Sequence, residues 1–173
     1  MEAPGGSPRS ASRSRWLWLI LAVVAADRAI KYAVERLTPE GFRKDLVPHA
    51  VVLVHSVNPG MAFGLLSESS SKWVSFLLAG SSAAVVVFLV WFLMAGHAGD
   101  LLSQAGLSLI AGGAAGNLLD RLLHGGVTDF LELRAGSLVW PAFNLADSAI
   151  TIGAVLVGLE LLRAGQHPSQ QRV

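Results

Sequence analysis

Cysteine is absent from all 173 residues. That excludes disulfides, a thiolate nucleophile and thiolate metal ligands. Charge is scarce as well: Asp, Glu, Lys and Arg make up 14% of the chain, against about 25% in soluble domains. The formal net charge is +1, so there is no basic footprint of the kind that nucleic acid requires. Histidines are few and scattered. His49, His55 and His124 form no HExxH motif and no close pair, so neither a metal site nor another cofactor is expected. At this length a second domain is not expected either.

What the chain has in excess is apolar surface. Hydrophobic residues reach 53% without counting the eighteen glycines, whereas soluble domains reach about 45–50% with glycine included. The excess falls into blocks long enough to cross hydrocarbon. The expected architecture is therefore an all-α membrane protein, a four-transmembrane-helix bundle with a small β-rich extracytoplasmic platform. Spans are expected at about 16–37, 73–94, 101–123 and 143–162, within one membrane-embedded domain over 16–163. Residues 1–15, rich in Ser, Pro, Gly and Arg, are expected to form a flexible cytoplasmic tail, and 164–173 a second polar tail. Arg9, Arg13 and Arg15 precede the first apolar run and place that end inside.

The first span has a rival reading, since Trp16–Ala26 follows arginines and could pass for a cleavable signal peptide. Against it, Ala29, Ile30, Ala33, Val34 and Leu37 continue at helical spacing. Asp27 and Lys31 also stand four apart, acid first, so each can neutralise the other on one helix face. Residues 38–72 are too polar to span. Val51–Val54 reads as a short strand, and Asn58-Pro59-Gly60 as a turn in which Gly60 is free to take a positive φ. Trp73–Met94 is apolar throughout, with Trp73 and Trp91 near its ends like interfacial anchors. The third span holds Gly106, Gly112, Gly113 and Gly116 among alanines, which makes it the helix that neighbours can approach closely. His124–Ala142 is expected to be a second non-spanning loop that opens on Gly125-Gly126 and carries Asp129.

The stretch Gly116–Ser148 concentrates the polar residues: Asn117, Asp120, Arg121, Asp129, Asn144 and Asp147. Each ionisable group near the middle of a bilayer costs about 2.5–3.5 kcal/mol on insertion scales. With four spans and the N-terminus inside, both large loops fall on the outer side, and every such residue collects at one leaflet. Asp129 and Asp147 can then form a proton-sharing pair of the aspartic-protease kind, one carboxyl activating water and the other donating to the carbonyl oxygen. Blander readings exist for both. Asn144 and Asp147 have the spacing of a helix cap, and Asp129 has the standing of an ordinary loop carboxylate. A proton-coupled carrier and a purely structural membrane protein are the alternatives for the whole chain.

Five motifs in order carry a resemblance: D-x-x-x-K at Asp27–Lys31, N-x-G-x-A-F-G at Asn58–Gly64, G-N-L-x-D-R at Gly116–Arg121, V-x-D-F at Val127–Phe130 and F-N-x-A-D-S at Phe143–Ser148. Together they resemble the bacterial signal peptidase II family over nearly the whole chain. The resemblance implies an inner-membrane aspartic endopeptidase that cuts prolipoproteins before a diacylglyceryl-modified cysteine. It implies Asp129 and Asp147 as the catalytic pair. Asn58, Gly60, Asn117, Arg121 and Asn144 would position the substrate or the pair, and Asp27, Lys31 and Asp120 would support the polar site. It implies prolipoproteins and membrane lipid as partners. The family's first motif usually has Gln after the Asp and Thr before the Lys, where this chain has Arg28 and Ile30; Met61 stands where a small residue is common.

The topology is testable because the chain is free of native cysteine. Single cysteines placed near His55 and Arg134 should label from outside intact cells, and one near Ala98 only after permeabilisation. Labelling of the Ala98 position from outside overturns the four-span arrangement, and a mature chain beginning at Asp27 removes its first span.

Overall fold

The computed structural model describes residues 8–60 and 72–165. Four helices run in chain order: α1 (Pro8–Leu37), α2 (Lys72–Ala95), α3 (Leu101–His124) and α4 (Leu145–Gly165). Between them lie strands β1 (Arg43–Val47), β2 (Val51–Asn58), β3 (Val127–Ala135) and β4 (Leu138–Phe143). Pro8 opens α1 inside the stretch expected to be an irregular tail. At a first helical position proline gives up no intrahelical bond, so the helix can begin there. Met1–Ser7, 61–71 and 166–173 lie outside the described residues, and with them fall Met61, the Ala62–Gly64 half of the second motif, part of the first expected tail and most of the second.

The third helix is central, as its small residues led us to expect. It packs against α1, α2 and α4, while α1 meets α2 and α4 only lightly. Glycines make this possible by removing the Cβ from the contact. A Cβ on Gly113 would sit 2.3 Å from the Ala146 carbonyl oxygen, one on Gly106 2.7 Å from the Gly153 oxygen, and one on Gly112 2.8 Å from the Val23 Cβ. Phe76–Ala95 and Leu145–Arg163 are long and apolar enough to cross a membrane. On α2 the side chains of Phe76, Leu77, Val87, Phe88 and Trp91 are left exposed, as a lipid-facing helix requires. The other two helices have comparable length, but α1 carries Asp27, Arg28, Lys31 and Glu35, and α3 carries Asn117, Asp120 and Arg121.

The sheet corrects one expectation. It is a four-stranded antiparallel sheet in the order β1-β2-β3-β4, and half of it comes from the segment expected to be a loop. In that segment Leu131 and Leu133 alternate with Glu132 and Arg134, the period of a strand. Gly136, at φ 60°, turns the chain between β3 and β4. Pro141 lies in β4, an outer strand of the sheet, where a missing N–H is tolerated. Two junctions fix the sheet to the bundle. Gly125, left-handed at φ 75°, ends α3 with its N–H on the Arg121 carbonyl and turns the chain straight into β3. At the other end only Asn144 separates β4 from α4.

Close packing at Gly113 has a measurable consequence. Gly113→Ala should lower stability by about 1–3 kcal/mol through overpacking, whereas Gly158→Ala, where a Cβ meets nothing within 4 Å, should leave it unchanged. Thermal unfolding of both variants in detergent, alongside the parent chain, makes the comparison.

Candidate active site

The start of α4 is fastened from three directions. Asn144 Oδ1 accepts the Asp147 N–H at 2.9 Å, and Asp147 Oδ2 accepts the Asn144 N–H at 3.3 Å. This is a reciprocal capping box, so the bland reading of the pair is correct and does not displace the chemical one. A third orphan donor, the Ala146 N–H, is met from α1 by Asp27 Oδ1 at 2.9 Å.

Asp129 is the third residue of β3, so it belongs to a strand and not to a loop. Its Oδ1 accepts from Asn144 Nδ2 at 2.7 Å and its Oδ2 from Asn58 Nδ2 at 3.4 Å. Asn117 Nδ2 donates to Asp147 Oδ1 at 2.8 Å. Each of the four carboxyl oxygens thus has a nitrogen donor, and Asn144 bonds to both acidic residues. Sheet register explains the reach of Asn58: it pairs with Val127, two residues before Asp129, on the neighbouring strand. The turn after Asn58 is closed by its own side chain, with the Gly60 N–H on Asn58 Oδ1 at 2.9 Å. Among the described residues the left-handed glycines are Gly41, Gly96, Gly99, Gly125 and Gly136. Gly60 is not one of them; a side-chain bond shapes that turn instead. Arg121 reaches the Gly60 carbonyl oxygen at 3.2 Å from Nη2.

Behind the acids lies a buried ionic cluster. Lys31 is fully buried, with Nζ 2.7 Å from Asp27 Oδ2, 2.8 Å from Asp120 Oδ2 and 3.1 Å from Asn117 Oδ1. All ten residues singled out from the sequence therefore come together in one connected region. Three further members were not read as part of the site. Arg28 pairs with Asp120 at 2.8 Å and with Glu35, and Glu35 accepts from the Thr128 hydroxyl at 2.8 Å. A signal was available: Arg28, Lys31 and Glu35 follow at helical spacing on the face that holds Asp27.

The acids open into a cavity of about 470 Å³. Asn58, Gly60, Asn117, Arg121, Asp129 and Asp147 form its polar side; Trp140, Pro141, Phe143, Ile150 and Ile152 form an apolar wall. Burial, reinforced by the neighbouring Asp147 charge, pushes the Asp129 carboxyl up to about 7, against the pull of the Asn144 and Asn58 donors and Lys31. At neutral pH such a group exists in both protonation states, as a proton-transfer catalyst requires. Among the described residues no group of three His, Cys, Asp or Glu side chains is placed to hold a metal ion.

Comparison with known proteins gives the chain's family. Residues 19–163 match the family model described as signal peptidase (SPase) II. The lipoprotein signal peptidase of Solibacter usitatus is 42% identical over 141 residues, covering 82% of this chain and 86% of that protein. That of Paraburkholderia phytofirmans is 39% identical, covering 93% of this chain and 92% of its own. A solved bacterial membrane enzyme superposes with a TM-score of 0.81 at 28% identity, covering 92% of this chain and 94% of the other.

The raised Asp129 carboxyl has a sign for stability. Between the ordinary value near 3.8 and about 7, the folded chain holds this proton and the unfolded chain does not. Its contribution is therefore fully present below 3.8 and is lost as pH rises through about 7. The parent chain should lose a few kcal/mol of stability across that window relative to Asp129→Asn, measured by denaturation at a series of pH values.

Proposed function

Because the chain belongs to the signal peptidase II family, matching its model over residues 19–163, we propose that it is a membrane-embedded aspartic endopeptidase. In this reading it removes signal peptides from diacylglyceryl-modified prolipoproteins, cutting before the lipidated cysteine, and works without metal or other cofactor. Four helices cross the bacterial inner membrane with both termini in the cytoplasm, and the sheet lies at the outer leaflet. The observation that carries the proposal is the pairing of Asp129 and Asp147 through Asn144 at the polar side of a cavity whose other wall is apolar. The acyl chains stay in hydrocarbon while the peptide bond enters between the acids.

Roles follow from the surroundings. Asp147 sits in the first turn of α4 and accepts the Asn117 amide and the Asn144 N–H. In this mechanism Asp147 is the acid that takes a proton from water. Asp129, pushed up to about 7, carries the shared proton. Water oxygen bonds to the scissile carbonyl carbon, one water proton passes to Asp147, and the Asp129 proton passes to the carbonyl oxygen. The neutral gem-diol then collapses: Asp147 protonates the departing amide nitrogen, the carbon–nitrogen bond breaks, and Asp129 recovers a proton from a hydroxyl. Both acids end as they began. Arg121, near both carboxyls, and Asn58 hold the peptide backbone beside them.

Asp129→Asn and Asp147→Asn should each lower cleavage of a diacylglyceryl-modified precursor at least about a hundredfold, with the double variant hardly worse than either single one. Chelators should leave the rate unchanged. In the parent enzyme kcat/KM should fall as pH rises through an apparent value near 7 that belongs to the pair. Bound substrate deepens burial, so the corresponding limb in kcat should lie higher. Substantial processing by either single variant, in matched amounts of inserted protein, removes the two acids from the mechanism and reopens the carrier alternative.

A further inference from the structure

Among the described residues, the first residues of β3 pair with a strand on one side only. Val127, Thr128 and Asp129 pair with Asn58, Val57 and Ser56 of β2, whereas pairing with β4 starts at Leu131. Even on the β2 side the register shifts between Leu53 and Ser56. Among the described strands, β4 thus gives no lateral support to the residues that present the Asp129 carboxyl.

A closed ring of four residues fills that role. One guanidinium, Arg28, takes Asp120 Oδ1 at 2.8 Å through Nη1 and Glu35 Oε2 through Nη2. The opposite oxygens of those carboxylates both go to Thr128: Asp120 Oδ2 accepts its N–H at 3.2 Å, and Glu35 Oε1 accepts its hydroxyl at 2.8 Å. Thr128 is 2% exposed. Strand alternation sends its side chain away from that of Asp129. Asp129 lines the catalytic cavity, while Thr128 and Glu35 line a separate cavity of about 540 Å³. Pinning Thr128 at backbone and side chain therefore sets the direction of its neighbour.

We propose that Glu35, oriented by Arg28, is a positioning residue for Asp129, acting through the Thr128 hydroxyl to hold the start of β3 against α1 and α3. This gives Arg28 a task at the position where the resembled family usually carries Gln. The proposal rests on the two-carboxylate reading above, and it concerns a residue that touches neither substrate nor the reacting atoms.

The test is steady-state cleavage of a diacylglyceryl-modified precursor by equal amounts of inserted full-length protein. Thr128→Val and Glu35→Ala should each lower kcat about tenfold, the scale of one buried hydrogen bond, with KM little changed. The double variant should match the worse single one, because both remove the same link, and Thr128→Ser should restore the parent rate. Thr128→Val alters no charge: Asp147 on α4, Arg121 on α3 and Lys31 on α1 still face Asp129. Loosening of the Asn144 and Asn58 bonds, which favour the ionised form, should move its kcat/KM limb to higher pH. Parent-like kcat and pH profile in Thr128→Val, or additive losses in the double variant, overturn the proposal. Should Thr128→Val not insert, Glu35→Ala decides, since the Glu35 side chain is 22% exposed and its truncation leaves no sealed void. Failure of the unsubstituted chain to cleave sinks the underlying reading and this proposal together; cleavage by the parent with unaffected Glu35→Ala sinks this proposal alone.

Discussion

An ammonium group with no access to solvent must find its counter-charges inside the protein, and Lys31 imposes that condition on three helices. It draws Asp27 from its own helix and Asp120 from α3. The other oxygen of Asp27 then meets the Ala146 N–H of α4, and the other oxygen of Asp120 meets Arg28. One buried cation thereby sets how α1, α3 and α4 meet at the level of the acids. Taking both carboxylates away would strand the ammonium, whereas losing one leaves it a single counter-charge.

Close approach and ionic pairing depend on one another here. A Cβ on Gly116 would lie 2.8 Å from Asp27 Oδ2, so the carboxylate reaches α4 only because α3 has no side chain in the way. Further along α3, Gly113 and Gly106 bring its backbone against Ala146 and Gly153 of α4. The small residues that favour helix association in lipid also let short acidic side chains span two interfaces.

The bundle and most of the polar site could be read from the sequence because their signals are local or chemically costly. Glycine spacing marked α3 as central, and acids beside apolar runs marked the site. Two kinds of information were hidden. The strands 127–143 alternate over only a few residues and include Pro141, so nothing local separates them from a loop; their pairing with β2 is a long-range fact. Glu35 carried no local signal of its partner, because Thr128 lies 93 residues away in the chain. At Gly60 the turn is closed by the Asn58 side chain.

Asn144 lies between β4 and α4, and its side chain holds both the Asp129 carboxyl and the Asp147 N–H. The working gap between Asp129, mounted on the sheet, and Asp147, mounted on the bundle, is consequently gauged by the length of one amide. Neither body measures that gap by itself. Lengthening the gauge by a single methylene, as glutamine does, would reset the clearance between the acids while every strand pairing and helix contact elsewhere stayed as built.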